Sequence, residues 1–195
     1  DWSSDVCSSD LKLYVLVPYK SMDEIPKINT AMFSDPEVAS KGAAYLDASF
    51  EDAPYSRIVT YIIEGFRFSP SLTLPKLSGS VEDKVYELRS YEGPTEKRYR
   101  KKVEMFNEGG EIDLFARLNF NAIFYGEVIS GPTMPNLMYM TSFENKDDRD
   151  AHWKSFSSDP VWKDISTRPE YQKIVSKNVT LDRKSTRLNS SHANI

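Results

Sequence analysis

The sequence predicts an α+β protein of ferredoxin-like type, built as two β-α-β-β-α-β units in tandem with the first copy truncated. Three observations predict it. Residues 84–181 read as strand, helix, strand, strand, helix, strand, the split β-α-β arrangement. Residues 13–38 (LYVLVPYKSMDEIPKINTAMFSDPEV) align without a gap with residues 137–162 (LMYMTSFENKDDRDAHWKSFSSDPVW) at an offset of 124. A period of that length is too long for a solenoid unit and means two related domains. The strands alternate strictly, so each sheet has two chemically distinct faces.

The elements follow in order. Residues 12–19 (KLYVLVPY) form a short β run. Ser21 and Glu24 fit a capping box for a helix reaching about Phe33, with Pro26 near its start shortening it. Asp35-Pro36 opens a second short helix, proline at the first helical position. Residues 57–66 (RIVTYIIEGF) are a strand, and 69–83, rich in Pro, Ser and Gly, are the interdomain linker. The second domain opens on VYELRSYE (85–92), an alternating strand ended by Gly93-Pro94-Thr95. A helical stretch spans 95–118, with Tyr99, Val103 and Phe106 at helical spacing and a break at Gly109-Gly110. Strands at 121–130 and 136–143 meet across Gly131-Pro132. Asn145 caps a helix, Asp159-Pro160 restarts it, and 173–181 is the last strand.

Both ends differ from this pattern. Residues 1–11 and 182–195 are dense in Ser, Asp or Arg, lack periodicity, and resemble translated sequencing-adaptor sequence. The domain division is therefore 1–11 tail, 12–68 back half of a first domain, 69–83 linker, 84–181 complete domain, and 182–195 tail. Between the tails there is no cysteine and a single histidine, His152. Disulfides, thiolate chemistry and cysteine-based zinc sites are excluded there, and the redox compartment is unreadable. The 195 residues carry a net charge of -4, which supplies no basic footprint for nucleic acid. No stretch is long and apolar enough for a membrane-spanning helix. Localisation cannot be read, because an upstream signal would lie outside this sequence.

Strand alternation nominates the site. One face of 85–91 holds Val85, Glu87, Arg89 and Tyr91; the other holds Tyr86, Leu88 and Ser90. In 123–129, Ile123, Tyr125, Glu127 and Ile129 oppose Phe124, Gly126 and Val128. The second set in each strand suits packing on helices. The first sets then form a mixed polar and aromatic face that closes against a mate as a barrel. A charge buried there needs a partner, so Arg89 is expected to pair with a glutamate. The candidate pocket is Glu87, Arg89, Tyr91, Tyr125, Glu127 and Tyr139, polar groups converging among aromatics as small-molecule sites do; the competing account is a salt bridge at a barrel seam. His152 joins the set as a general base or haem ligand, or is a helix residue packing beside Trp153. No spacing for a metal set surrounds it. The basic run Lys97 to Lys102, diluted by Glu96 and Glu104, reads as a solvated helix face before it reads as an anion site. No phosphate loop, nucleophile elbow or zinc-helix motif is present, so catalytic residues stay unknown and no metal or cofactor is expected.

The segments YELRSYE, MFNEGGEI, FYGEV and RDAHW with a following Phe resemble those of the NIPSNAP family across 85–181, and 12–66 resembles the back half of a preceding family domain. The resemblance implies a ferredoxin-like fold of the dimeric α/β-barrel superfamily; it implies no chemistry. It departs from the pattern where the first copy lacks its opening β-α-β and the last strand stops near Leu181. Two functions are expected from different classes. One is a barrel-forming binding and assembly module that self-associates through a sheet face. The other is a small-barrel enzyme, monooxygenase- or isomerase-like, acting on an aromatic or polyketide-like small molecule. An open interior favours the enzyme and a packed interior favours the module.

Overall fold

The computed structural model describes residues 12–184. The chain divides between Ile58 and Val59 into two units. The expectations for residues 1–11 and 185–195 lie outside the described residues.

The first unit is helical. Helix α1 spans Glu24–Ser34, α2 Pro36–Lys41 and α3 Ala43–Leu46. Pro26 sits within the first turn of α1 and does not shorten it, because that turn's amides have no intrahelical acceptors to lose. The capping box is only half made. Asp23 occupies the cap position without a side-chain bond, and Glu24 accepts instead from the Lys20 amide at 2.9 Å. Asp35 behaves as expected, taking the Glu37 and Val38 amides at 2.7 and 3.3 Å at the start of α2. The predicted strand at 12–19 does not form: these residues are exposed and belong to no ladder. A strand exists only by pairing, and no other described segment pairs with this one.

The second unit is a five-stranded antiparallel sheet in the order β1-β3-β4-β2-β5. Its strands are β1 Ile62–Gly65, β2 Val85–Glu92, β3 Phe124–Ser130, β4 Asn136–Phe143 and β5 Lys177–Lys184. Helices α4 (Glu96–Asn107) and α5 (Glu111–Arg117) link β2 to β3, and α6 (Lys146–Ser158) and α7 (Pro160–Thr167) link β4 to β5. Omitting β1, the order last, first, third, second is that of a ferredoxin-like sheet, as predicted. Local chemistry sets the ends. The Thr95 hydroxyl accepts from the Arg98 amide at 3.3 Å to start α4. Gly110, at φ +92°, turns the chain from α4 into α5 in a conformation that glycine adopts without penalty. Asn145 takes the Asp148 amide at 2.9 Å to start α6, and Asp159 takes the Val161 amide at 2.8 Å to start α7.

The predicted strand at 57–66 shrinks to Ile62–Gly65, and it pairs with β3 of the second unit. Gly126 permits this approach, since a β-carbon there would collide with the Ile63 side chain and the Glu64 carbonyl. The 69–83 segment is docked. The Thr73 amide reaches the Ile123 carbonyl at 2.8 Å, and the Ser78 and Gly79 amides reach the Glu144 carboxylate at 2.8 and 2.6 Å. The last strand starts at Lys177 rather than 173, and its ladder with β2 runs to Lys184, three residues past the expected boundary.

The core lies between sheet and helices. Tyr91, Tyr125, Leu137, Tyr139 and Phe143 from the strands meet Phe106, Phe115 and Phe156 from the helices. The face assignment made from alternation is therefore inverted. Val85, Glu87, Arg89 and Tyr91 point at the helices, and Leu88 with Val128 and Met138 forms a separate cluster on the opposite face. The aromatic face bears far more buried ring surface than the aliphatic one, and burial scales with that area. Its two charges are tolerated because each finds a partner.

Candidate functional site

Arg89 pairs with a glutamate two residues away on its own strand. Alternation puts Glu87 and Arg89 side by side, and Arg89 Nε meets Glu87 Oε1 at 2.5 Å. Glu87 is completely buried. Its second oxygen takes Arg149 of α6, Nε to Oε2 at 2.6 Å. One carboxylate thus bridges two guanidiniums and ties α6 to the sheet. Arg89 Nη1 reaches the Tyr91 hydroxyl at 3.3 Å, and that hydroxyl lies 2.8 Å from the Tyr139 hydroxyl. The Arg89 guanidinium stacks on Trp153, its Cζ 3.7 Å from the ring centroid. Burial strips water from Tyr139 and holds its phenol well above the usual range; burial also raises Tyr125. Both are neutral core residues at physiological pH.

The predicted pocket residues do not form one pocket. Glu87, Arg89, Tyr91 and Tyr139 are joined as described, and Tyr125 stacks on Tyr139 with centroids 5.7 Å apart. Rings of Phe106 and Phe115 fill the space against both tyrosines. Glu127 stands apart, accepting from Tyr99 Oη at 3.0 Å and pairing with Arg100 at 3.6 Å. Burial, aided by Glu127, pushes the Tyr99 hydroxyl well above its usual range. His152 is on α6 but outside this hydrogen-bond network. Its Nδ1 lies 2.7 Å from the Asp148 carbonyl and its ring packs against Phe120 and Phe143. It lines a surface cleft of about 280 Å³ with Arg117, Asn119, Asp148 and Ser155. No group of three metal-binding side chains occurs among the described residues.

Two participants escaped the sequence. Arg149 completes the Glu87 bridge, and its only sequence signal was a cation in a helix expected to lie over the sheet. Lys102, placed with the solvated basic run, is buried and bonds Glu111 Oε2 at 2.7 Å. Its position three residues from Tyr99 and Met105, both core residues, was the available signal.

Strand order, register and the single helical layer define the second unit as a ferredoxin-like α+β domain with a charge-bridged aromatic core. Residues 86–181 match the NIPSNAP family model; the chain carries a NIPSNAP domain. No curated protein matches the chain. Among solved structures it is similar to a NIPSNAP family protein of unknown function from Agrobacterium tumefaciens strain C58, at 16% identity, 58% of this chain, 98% of that chain and a TM-score of 0.49. It is also similar to an uncharacterized NIPSNAP-like domain protein from Burkholderia xenovorans, at 15% identity, 56% of this chain, 90% of that chain and a TM-score of 0.48. A dimeric protein of unknown function and ferredoxin-like fold from Bacteroides fragilis NCTC 9343 matches at 14% identity, 55% of this chain, 99% of that chain and a TM-score of 0.39. No helix among the described residues is long and apolar enough to cross a membrane.

Proposed function

We propose that the chain is a barrel-forming assembly module whose sheet closes, through the face away from its helices, on a second sheet of the same kind. One observation carries this. All five strands contribute an apolar side chain to that face: Ile63, Leu88, Val128, Met138 and Leu181 in strand order of sequence, with no helical residue in the cluster. The three central residues of the strip, Leu88, Val128 and Met138, are only 9%, 4% and 7% exposed, so this face is packed rather than bare, and a second sheet is the layer that suits it. The packed interior favours this reading over turnover in the tyrosine chamber, because rings occupy the space a substrate would need.

The tandem arrangement supplies a mate within the same protein. We read 12–68 as the back half of a related domain. In support, α1 and α2 with their Asp35-Pro36 start correspond, at the repeat offset, to α6 and α7 with Asp159-Pro160. The test is the mass of the full chain by sedimentation, compared with Met138→Glu. Association at micromolar concentration, lost in Met138→Glu with helix and strand content kept, supports the module. A wild-type chain that stays monomeric at the highest soluble concentration overturns self-association.

A further inference from the structure

His152 holds a lone pair open. Its Nδ1 lies 2.7 Å from the Asp148 main-chain carbonyl and 3.1 Å from Oδ1 of the same residue. A carbonyl only accepts, so Nδ1 carries the proton, and in the neutral ring Nε2 is then the bare acceptor. Phe120 and Phe143, both fully buried, brace the imidazole. Nε2 has no hydrogen-bond partner among the described residues, and it is not one of the buried side-chain atoms left without a partner. It therefore meets solvent, and His152 lines the cleft of about 280 Å³ between the end of α5 and the body of α6. Two further groups on that cleft have capacity to spare. Asn119 closes α5 in a left-handed turn at φ 56°, and its side-chain amide makes no bond among the described residues. Ser155 gives its proton to the Ala151 carbonyl at 3.0 Å, which leaves the hydroxyl oxygen as an acceptor.

We propose that this cleft binds a small uncharged molecule carrying neighbouring hydroxyls on a carbon ring. Charge sets the first limit. Arg117 is matched by Asp159 at 2.8 Å. Asp148 accepts from the Glu144 amide at 3.0 Å and from His152, and it sits in the first turn of α6, where the helix amides favour a carboxylate. Both charges of the cleft are thus met within the fold, and neither is left to hold an ion. Hydrogen bonding sets the second limit. Nε2 needs a proton from the ligand, and an O–H supplies one. The Asn119 amide donates and accepts at once, as a pair of hydroxyls does. Leu118 and Ala151 line the same cleft and offer apolar surface to the carbon ring. The lining comes from α5, α6 and the turn after α5, with no strand residue, so the site is separate from the assembly face.

Two measurements on the isotope-labelled full chain test this. The ring nitrogens of His152 are assigned in His192→Asn, which leaves a single histidine. In mildly alkaline buffer, where an ordinary imidazole is neutral, they are expected to show the proton on Nδ1, the tautomer that free histidine disfavours. A proton on Nε2 overturns the site. The chain is then titrated with the vicinal diol of cyclohexane, with its dimethyl ether as the control. A shift at Nε2 that saturates in the millimolar range is expected for the diol, as a cleft with few contacts allows. None is expected for the ether, which has no proton to give. Asn119→Gly keeps the left-handed turn and removes the amide; it is expected to weaken the diol about fivefold, the worth of one hydrogen bond. No shift, a shift that does not saturate, an ether as effective as the diol, or an Asn119→Gly chain that binds as tightly as the parent overturns the site. None of these readings depends on sedimentation mass, so failure here and failure of the assembly reading are told apart.

Discussion

Lys102 and Glu111 form the most enclosed ion pair of the second unit, with side chains 7% and 3% exposed. The ammonium also faces the Phe106 ring at 4.6 Å. Burial raises the Glu111 carboxyl above its usual value despite the pull of Lys102. A carboxyl raised on folding binds its proton more tightly in the native state. Its stabilising contribution is complete below the unfolded pKa and is lost as pH rises through the folded one. Lys102→Met leaves Glu111 alone in the core and is expected to cost about 3–5 kcal/mol in urea unfolding at neutral pH. The double variant Lys102→Met with Glu111→Leu is expected to recover most of that loss; a double variant as unstable as the single would show that the pair is net stabilising. The sequence disclosed little of this. Lys102 sits in a run of cations that looks solvated, and only its helical phase separates it from Lys101. The same difficulty inverted the sheet faces. Period two sorted residues into the correct sets, but Glu87 and Arg89 looked too polar for the core. That judgement needed Arg149, which lies about sixty residues away and is brought near only by the fold.

Elements bounded by local chemistry were legible. Asn145 caps and Asp159-Pro160 restarts the chain where expected, Thr95, placed as the first residue of the helical stretch, turns out to cap it, and Gly109-Gly110 separates α4 from α5. Elements that depend on distant partners were not. The 12–19 run has strand composition without a neighbour, while Ile62–Gly65 is a strand because β3 offers an edge. The docked 69–83 segment belongs to this second kind. Its anchor is Glu144, which accepts from the Ser78 amide, the Ser78 hydroxyl and the Gly79 amide at 2.8, 3.2 and 2.6 Å. Those amide bonds, the Ser78 one first, hold the Glu144 carboxyl below its usual value. A depressed carboxyl contributes above its unfolded pKa and stops contributing as pH falls through the folded one. Protection of the Ser78 and Gly79 amides, measured against their intrinsic exchange rates at each pH, is therefore expected at neutral pH and lost in acid. Glu144→Gln, with one acceptor oxygen in place of two, should weaken that protection at neutral pH while β4 amides stay protected. Unchanged exchange at Ser78 and Gly79 in Glu144→Gln would mean that the strand ends alone hold the segment.

At the scale of the whole molecule, the two units differ in what holds them together. The second unit has a continuous buried core of Phe, Tyr and Leu side chains spanning strands and helices. In the first, α2 and α3 contain no buried residue, and Phe33, Tyr45 and Phe50 are exposed at 67%, 51% and 92%. Isolated helices of four to eleven residues are marginal in water without tertiary packing. Local opening in the first unit should therefore cost little, whereas opening in the second must expose the aromatic core. Trace protease added to the full chain is expected to cut first within 24–58, where Lys27, Lys41 and Arg57 are exposed to trypsin. The surviving product should begin near Val59 and retain a cooperative melt. Cleavage within 85–181 at the same rate would mean that the core does not set the order of opening. Slow cleavage throughout would mean that the exposed side chains of α1 to α3 are covered in solution by something other than sheet-to-sheet closure, which leaves helices on the outside. The protease pattern and the sedimentation mass of the same sample together locate the cover: a protected first unit in a monomer points to contacts within one chain, and a protected first unit in a larger particle points to contacts between copies.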